Sequence, residues 1–256
     1  MYCFRALMLC GVAGLSSCGS SKDATDVAPA STTTILDLED VKANPSAYEW
    51  FDFRPNLKKL ILAGAEDSEH VAILWYTVTD GSVGLHYHSK TESVFVIDGT
   101  QTDAKGTYPT GTIYFNPPGS GHQLTNSTGF FILAYASPPD FAQTDLIGEY
   151  TPVRIDTAAA DFASAQPFEP AGAGVRTFSA PLDGMGGISA TFIELAAPGA
   201  ALTYQGNYLL VLGGRCAVDG VTLGSGKLVV AAAIEPRSFE VTLPEAGPCL
   251  ALGVSF

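Results

Sequence analysis

The sequence predicts an all-β protein made of two barrels in tandem, and two observations carry this prediction. Short segments rich in β-branched and aromatic residues recur along the chain, separated by turn signals such as Asp80-Gly81 and Asp98-Gly99. The pattern of the first half also returns, more weakly, in the second half. Short strands at this spacing, repeated once, are typical of two antiparallel barrels of one design.

The predicted strands of the first half are its apolar segments, and one short helical turn precedes them. The strands are expected at residues 71–78, 93–97, 112–115 and 130–136, and the helical turn at residues 36–42.

The repeat relates segments that lie about 115 residues apart. Residues 93–99 parallel residues 208–214, and residues 111–115 parallel residues 226–230. A steady offset between units of strand and turn indicates a second barrel of the same kind. These patterns divide the chain into a signal peptide (1–17), a flexible tether (18–34), a first barrel (35–150), a connector (151–173) and a second barrel (174–256).

The first 18 residues are predicted to be a targeting segment. A single positive residue, Arg5, precedes an apolar run over residues 6–15 that is too short to span a bilayer as a helix. Small residues then precede Cys18, a pattern that resembles a bacterial lipoprotein signal with Cys18 as the lipidated residue. We therefore expect an exported protein anchored to a membrane through Cys18. The resemblance to lipoprotein sorting implies, from Gly19 rather than Asp after the cysteine, the outer membrane, facing the periplasm or the cell surface. The alternative is an ordinary secretory signal with a chance cysteine.

Composition excludes several classes of protein. Among 256 residues, 46% are hydrophobic and 15% charged, which is ample for a buried core and too apolar for disorder. The net charge is −13 and no basic stripe exists, so we expect no nucleic-acid partner.

Two cysteines, Cys216 and Cys249, lie outside the targeting segment. An exported compartment permits a disulfide between them. However, the predicted strands place both near the starts of antiparallel neighbours, which would hold their Cα atoms farther apart than a disulfide spans. The pattern thus favours two free thiols and leaves the pairing open.

Three histidines and one glutamate form a candidate metal site. His86 and His88 lie two apart in a strand context, so both imidazoles share one face. A short turn can return Glu92 toward them, and the turn at residues 117–121 can aim His122 at the same point. Three neutral nitrogens and one carboxylate suit Zn, Mn, Fe, Ni or Cu as a divalent ion. The alternative is a polar cluster without metal, whose unpaired burial would be costly. His70 is expected in a loop and not as a ligand.

These residues carry a family resemblance. A first motif runs Gly81, His86-x-His88, Glu92 and Gly99, with Gly81 one position later than the family pattern places it. A second motif runs Gly111, Pro117-x-Gly119, His122 and Asn126, and matches the pattern completely. The motifs are similar to those of the cupin superfamily, and the segment from Tyr108 to Ser120 looks most like the cupin domain of zinc-binding anti-sigma factors of the ChrR type.

The resemblance implies a double-stranded β-helix (jelly-roll) fold in both barrels, with His86, His88, Glu92 and His122 as the metal ligands. Cupins with this ligand set resemble dioxygenases and isomerases, so one expectation is a metal-dependent oxygenase or a Lewis-acid enzyme on a small organic substrate. Glu92 could then also accept a proton when it detaches from the metal. By analogy with other paired cupins, a homodimer is one expected assembly.

Two other functions stay open. The first is a metal- or small-molecule-binding or sensing lipoprotein without catalysis, although no anti-sigma helical domain precedes the barrel and we do not expect that regulatory role. The second is a purely structural surface protein, which would leave the ligand set unexplained. Metal identity separates enzyme from sensor, since tightly held zinc with all positions closed favours the sensor.

The second barrel lacks the ligand set. Thr203 and Gln205 stand where His86 and His88 do, Asn207 falls near the position of Glu92, and Arg237 or a neighbour falls near that of His122. Such groups do not hold a transition metal tightly. We expect a structural half that covers the first barrel, and a metal-free pocket built on Gln205, Asn207 and Arg237 is the alternative.

Overall fold

The computed structural model describes residues 33–245 and 247–256. The predicted signal peptide, Cys18 and most of the predicted tether lie outside the described residues. The first strand is β1 (Thr33–Asp37), followed by the short helix α1 (Leu38–Ala43). Eight strands follow: β2 (Phe51–Arg54), β3 (Leu57–Gly64), β4 (His70–Tyr87), β5 (Glu92–Asp103), β6 (Gly106–Pro109), β7 (Thr112–Asn116), β8 (Gly121–Tyr135) and β9 (Val153–Asp156).

A second set of strands follows the short helix α2 (Phe162–Ala165). They are β10 (Glu169–Gly172), β11 (Val175–Ser179), β12 (Ser189–Leu195), β13 (Ala201–Gly206), β14 (Tyr208–Val218), β15 (Val221–Gly224), β16 (Lys227–Ala231), β17 (Arg237–Thr242) and β18 (Cys249–Ser255). Single 3₁₀ turns occur at Pro45–Ala47 and Thr144–Leu146. The all-β prediction is confirmed, and the predicted helical turn corresponds to α1, whose first turn is capped by the Asp37 carboxylate accepting from the Glu39 amide.

Two antiparallel sheets contain all of these strands. The first sheet has the order β2-β3-β4-β8-β5-β7-β9, with β6 paired to β5. The second has the order β1-β16-β14-β18-β12-β11-β10, with β13, β15 and β17 attached off this path. Strand β1 therefore pairs with β16 of the second sheet, although the strands that follow it in sequence build the first.

The strands β4 and β8 are far longer than the apolar segments that predicted them, because they bend together around the barrel. Leu74 pairs with Phe131 in one stretch and His86 pairs with His122 in the other, with register shifts between. Gly81 lies in this bend. A Cβ atom there would come within 2.1 Å of the Tyr76 ring, so a glycine is required for Tyr76 to fill the barrel interior.

Alternate residues of one strand face two different apolar cores. Leu74 and Val94 line the interior of the first barrel, while Ile73 and Phe95 beside them enter a core shared with the second barrel. Phe192 joins that shared core from the other side. The predicted strands read as continuous apolar runs for this reason, since both of their faces are buried.

The expectation that Cys216 and Cys249 lie too far apart is wrong. Cys216 stands near the end of β14 and Cys249 opens β18, and these strands are antiparallel neighbours, so the end of one meets the start of the other. Their Cα atoms are 5.2 Å apart and the two sulfurs form a disulfide.

No helix within the described residues has both the length and the apolar character needed to cross a membrane.

Reduction of the disulfide should lower the free energy of unfolding by roughly 3–4 kcal/mol, because the bond closes a loop of 33 residues in the unfolded chain. Urea unfolding with and without reductant measures this difference. The Cys216→Ala/Cys249→Ala variant is the control and should not respond to reductant. An unfolding midpoint of the natural chain that ignores reductant would contradict the disulfide.

Candidate metal centre

Strand ends bring the four predicted ligands to one rim of the first barrel. His86 lies near the end of β4, His88 directly after it, Glu92 opens β5 and His122 is the second residue of β8. Cross-strand pairing of His86 with His122 places these two side by side.

The ligand atoms of these four residues converge on one point inside the barrel. The Nε2 atoms of His88 and His122 are 3.4 Å apart, and the Oε2 atom of Glu92 lies 3.5 Å from the first and 3.4 Å from the second. One ligand atom from each of the four, including His86, lies within 4.8 Å of every other. All four side chains are buried.

This arrangement fits a shared metal ion. Donors that each lie about 2.1 Å from a common ion are separated by roughly 3.0–3.4 Å, close to the distances found here. The ion pairs of Glu92 within the described residues involve only histidines, so no lysine or arginine competes for the carboxylate. The donor set of three imidazoles and one carboxylate suits a divalent transition ion.

Hydrogen bonds to neighbouring residues orient the side chains of three of the ligands. The Nδ1 of His86 donates to the carbonyl of Gly84 at 2.8 Å, and the Nδ1 of His122 donates to Oδ2 of Asp103 at 2.9 Å. Each bond turns the Nε2 of that ring toward the centre. Asn116 similarly donates from Nδ2 to Oε2 of Glu92 at 2.9 Å.

Asp103 and Asn116 were not predicted from the sequence. The Oδ1 of Asp103 accepts from the amides of Lys105 and Gly106, as in an ordinary turn. The local sequence therefore does not distinguish Asp103 from a residue that only forms a turn. Asn116 lies within the second motif, directly before Pro117, but is not one of its fixed positions.

Burial and charge interactions keep three of the four ligand groups in the protonation state that binds a metal, with His86 and His88 neutral and Glu92 ionised. Burial, with repulsion from the neighbouring histidines, lowers the pKa of His86 to about 3, and burial lowers that of His88 to about 4. Burial would raise the pKa of Glu92, but attraction from His88 and a hydrogen bond from His122 hold it far below its usual range. Burial likewise opposes the charged form of His122, yet hydrogen bonds to Asp103 and Glu92 raise its pKa to about 9.

A small cavity adjoins the site beside His86 and Glu92. Its volume is about 20 Å³, enough for one water molecule or a ligand of similar size. Phe53 and Phe141 are among the residues that line it, and the Phe141 ring lies 5.1 Å from that of His86. The Arg54 guanidinium stacks on both phenylalanine rings, at 4.4 Å and 4.1 Å.

His70 corrects one prediction and agrees with another. It is not a loop residue, because it opens β4 and is fully buried. It lies outside the metal cluster, as expected. Its Nδ1 donates to the carbonyl of Ser68, and its Nε2 lies 3.3 Å from Nζ of the buried Lys59. Burial lowers the pKa of Lys59 to about 8 and that of His70 to about 4.

In the second barrel the corresponding residues make structural contacts. Gln205 donates to the Ser238 hydroxyl at 2.6 Å, and Arg237 pairs with Asp219 at 2.5 Å. Asn207 donates to the carbonyl of Ile234 and accepts from the amide of Phe256. Within residues 33–245 and 247–256, only the first barrel gathers histidines and acids into a possible metal site.

The chain is similar to one family model and to several solved structures. A family model described as the ChrR cupin-like domain matches residues 38–138. The crystal structure of a "putative dioxygenase" from Nostoc punctiforme PCC 73102 is 10% identical with a TM-score of 0.56, and the match covers 88% of this chain and 83% of that chain. An oxalate decarboxylase of Bacillus subtilis is 12% identical with a TM-score of 0.46, over 86% of this chain and 76% of that chain. A further structure of that enzyme, with Mn(II) centres, is 13% identical with a TM-score of 0.44, over 78% and 72% of the two chains. No curated protein matches the sequence.

Substitution of one ligand should abolish metal retention. We expect His88→Ala to reduce bound metal from about one ion per chain to near zero, because removal of one nitrogen leaves an incomplete donor set. The control is His70→Gln, which changes a buried histidine outside the cluster and should retain metal. Elemental analysis of both purified variants tests this. Undiminished metal in His88→Ala would show that the cluster is not the binding site.

Metal binding should release about one proton at pH 7, since His122 has its pKa raised to about 9 and must lose its proton to bind, while His86 and His88 are already neutral. Affinity should therefore rise with pH between 7 and 9. Calorimetric titration of Zn²⁺ in buffers of different ionisation enthalpy measures the number of protons. Binding with no proton release at pH 7 would contradict this charge assignment.

Proposed function

We propose that this protein, a two-barrel member of the cupin superfamily, is a metal-dependent enzyme of the oxygenase or Lewis-acid type that acts on a small organic substrate. The observation that carries the proposal is the cluster of three imidazoles and one carboxylate, buried and oriented, with a cavity on one side.

The residues that would hold the metal are His86, His88, Glu92 and His122. When bound, a divalent transition ion would supply activation of dioxygen or polarisation of a substrate oxygen. The donor set suits Zn, Mn, Fe, Ni and Cu.

The surrounding residues supply orientation and exclusion of water. Asp103 and Asn116 hold His122 and Glu92 in place, and Phe53 and Phe141 keep bulk solvent out of the cavity. Glu92 is ionised and can accept a proton from a substrate in the cavity. The neighbouring histidines hold its pKa low, and it would be a stronger proton acceptor once detached from the metal.

An organic substrate needs more room than the cavity offers. Phe141 comes from the segment after β8, which is held to the barrel by paired backbone hydrogen bonds between Tyr87 and Asp140, both 2.8 Å. We infer that a substrate enters by displacing Phe141, because this ring covers His86 and packs against Arg54.

The second candidate is a binding or sensing protein without catalysis. The small volume of the cavity favours it, since such a site accepts little beyond water or dioxygen-sized ligands. This candidate predicts a tightly held zinc ion and no turnover.

We further propose that the protein is exported and anchored to the outer membrane through Cys18, which lies outside the described residues. The disulfide between Cys216 and Cys249 supports export, because such bonds persist mainly in oxidising compartments.

The test is elemental analysis of protein purified from its exported compartment, followed by oxygen consumption and product analysis with small diketones and phenols. The enzyme proposal predicts turnover that His88→Ala abolishes and that Phe141→Ala raises for bulkier substrates, by widening the opening. His70→Gln serves as the matched control and should behave as the natural chain. Absence of turnover in the Phe141→Ala variant loaded in turn with Fe, Mn, Ni, Cu and Zn would leave the sensing function instead.

A further inference from the structure

The two neighbours of Glu92 in sequence both point toward the second barrel. Because side chains alternate along an extended segment, Glu92 enters the first barrel while Thr91 and Ser93 face outward. Both are nevertheless almost fully buried, with 2% and 1% exposure, because the second barrel covers them.

Thr91 makes a direct hydrogen bond to the second barrel. Its hydroxyl donates to the main-chain carbonyl of Met185, in the loop between β11 and β12. Ser93 lies beside the buried hydroxyl of Tyr208 in β14. The ligand Glu92 is therefore flanked on both sides by residues that contact the second barrel.

The same loop also reaches the turn at Pro118, which precedes the ligand His122. A Cβ atom on Gly186 would lie 3.2 Å from Cγ of Pro118 and 3.6 Å from Oγ1 of Thr91, and Gly186 has a φ of +65°. The backbone of the loop thus packs closely against both segments, in a left-handed conformation that favours glycine.

The turn at Pro118 is itself hydrogen-bonded to His88, one of the candidate metal ligands. The amide of Gly119 donates to the carbonyl of His88, and the amide of His88 donates to the carbonyl of Ser120, both at 2.8 Å. A shift of this turn would move His88.

The loop has its own anchors in the second barrel. The amide of Met185 donates to the carbonyl of Leu182, and that of Ala180 donates to the carbonyl of Ala190. The side chains of Met185 and Ile188 are buried in the core shared by the two barrels. The loop is therefore a fixed support.

We propose that the second barrel braces the metal centre of the first, with the loop at residues 180–188 as the brace and Thr91 as the positioning residue that connects it to Glu92. This inference rests on the proposed metal site. The second barrel, which lacks metal-ligating residues of its own, holds the Glu92 and His88 segments at ligating distance.

The test compares Co²⁺ affinity and the visible absorption of bound Co²⁺, which reports the number and type of ligands, among four full-length proteins. Thr91→Val removes the hydroxyl donor at nearly constant shape and should weaken Co²⁺ binding about 10- to 100-fold, with an altered spectrum. Thr91→Ser restores the donor and should return affinity and spectrum to those of the natural chain. Thr112→Val is the control, because Thr112 is a fully buried threonine whose hydroxyl has no hydrogen-bond partner.

Natural affinity and spectrum in Thr91→Val would overturn the brace while leaving the metal site intact. If valine prevents folding, Thr91→Ala, which introduces no new atoms, gives the same comparison. A natural chain that binds no Co²⁺ would overturn the proposed function, and the brace with it.

Discussion

The burial of one carboxylate among three imidazoles is the constraint on which the rest of this structure depends. An ionised carboxylate removed from water is costly unless partners replace its hydration. Here His88 and His122 hold the pKa of Glu92 low despite its burial, and the side-chain amide of Asn116 donates a further hydrogen bond to the carboxylate. A divalent cation at the point where the ligand atoms converge would complete this compensation.

The barrel supplies the geometry that the constraint requires. Strands β4 and β8 bend together, so that one end of each reaches the rim where β5 begins. The bend depends on local details, such as the absence of a side chain at Gly81 where the Tyr76 ring turns inward. Rigid strands then place His86, Glu92 and His122 more accurately than loops could, and His88 directly follows one of these strands.

The two barrels share one core, but they differ in that the first carries the candidate metal ligands and the second packs against the segments that hold them. Alternating residues such as Ile73 and Leu74 let each strand contribute to its own barrel and to the contact between barrels. Strand β1 extends this connection, because it pairs with β16 and its Asp37 forms an ion pair with Lys227. The second barrel retains the fold without the ligands, and its loop at residues 180–188 packs against the segments that carry Glu92 and His88.

The sequence by itself determined the all-β class, the repeat, the two cupin motifs and the four candidate ligands, because these features are set by local spacing and residue type. Only the tertiary structure decided which strand ends meet. It joined Cys216 to Cys249, buried His70 in a strand and brought Asp103 to His122 from 19 residues away. Such contacts depend on strand register and barrel curvature, which residue patterns specify only through the packing of the whole chain. The hydrogen bond from Thr91 to Met185 likewise depends on tertiary packing, since it joins residues that are 94 positions apart in the sequence and forms only once the barrels pack together.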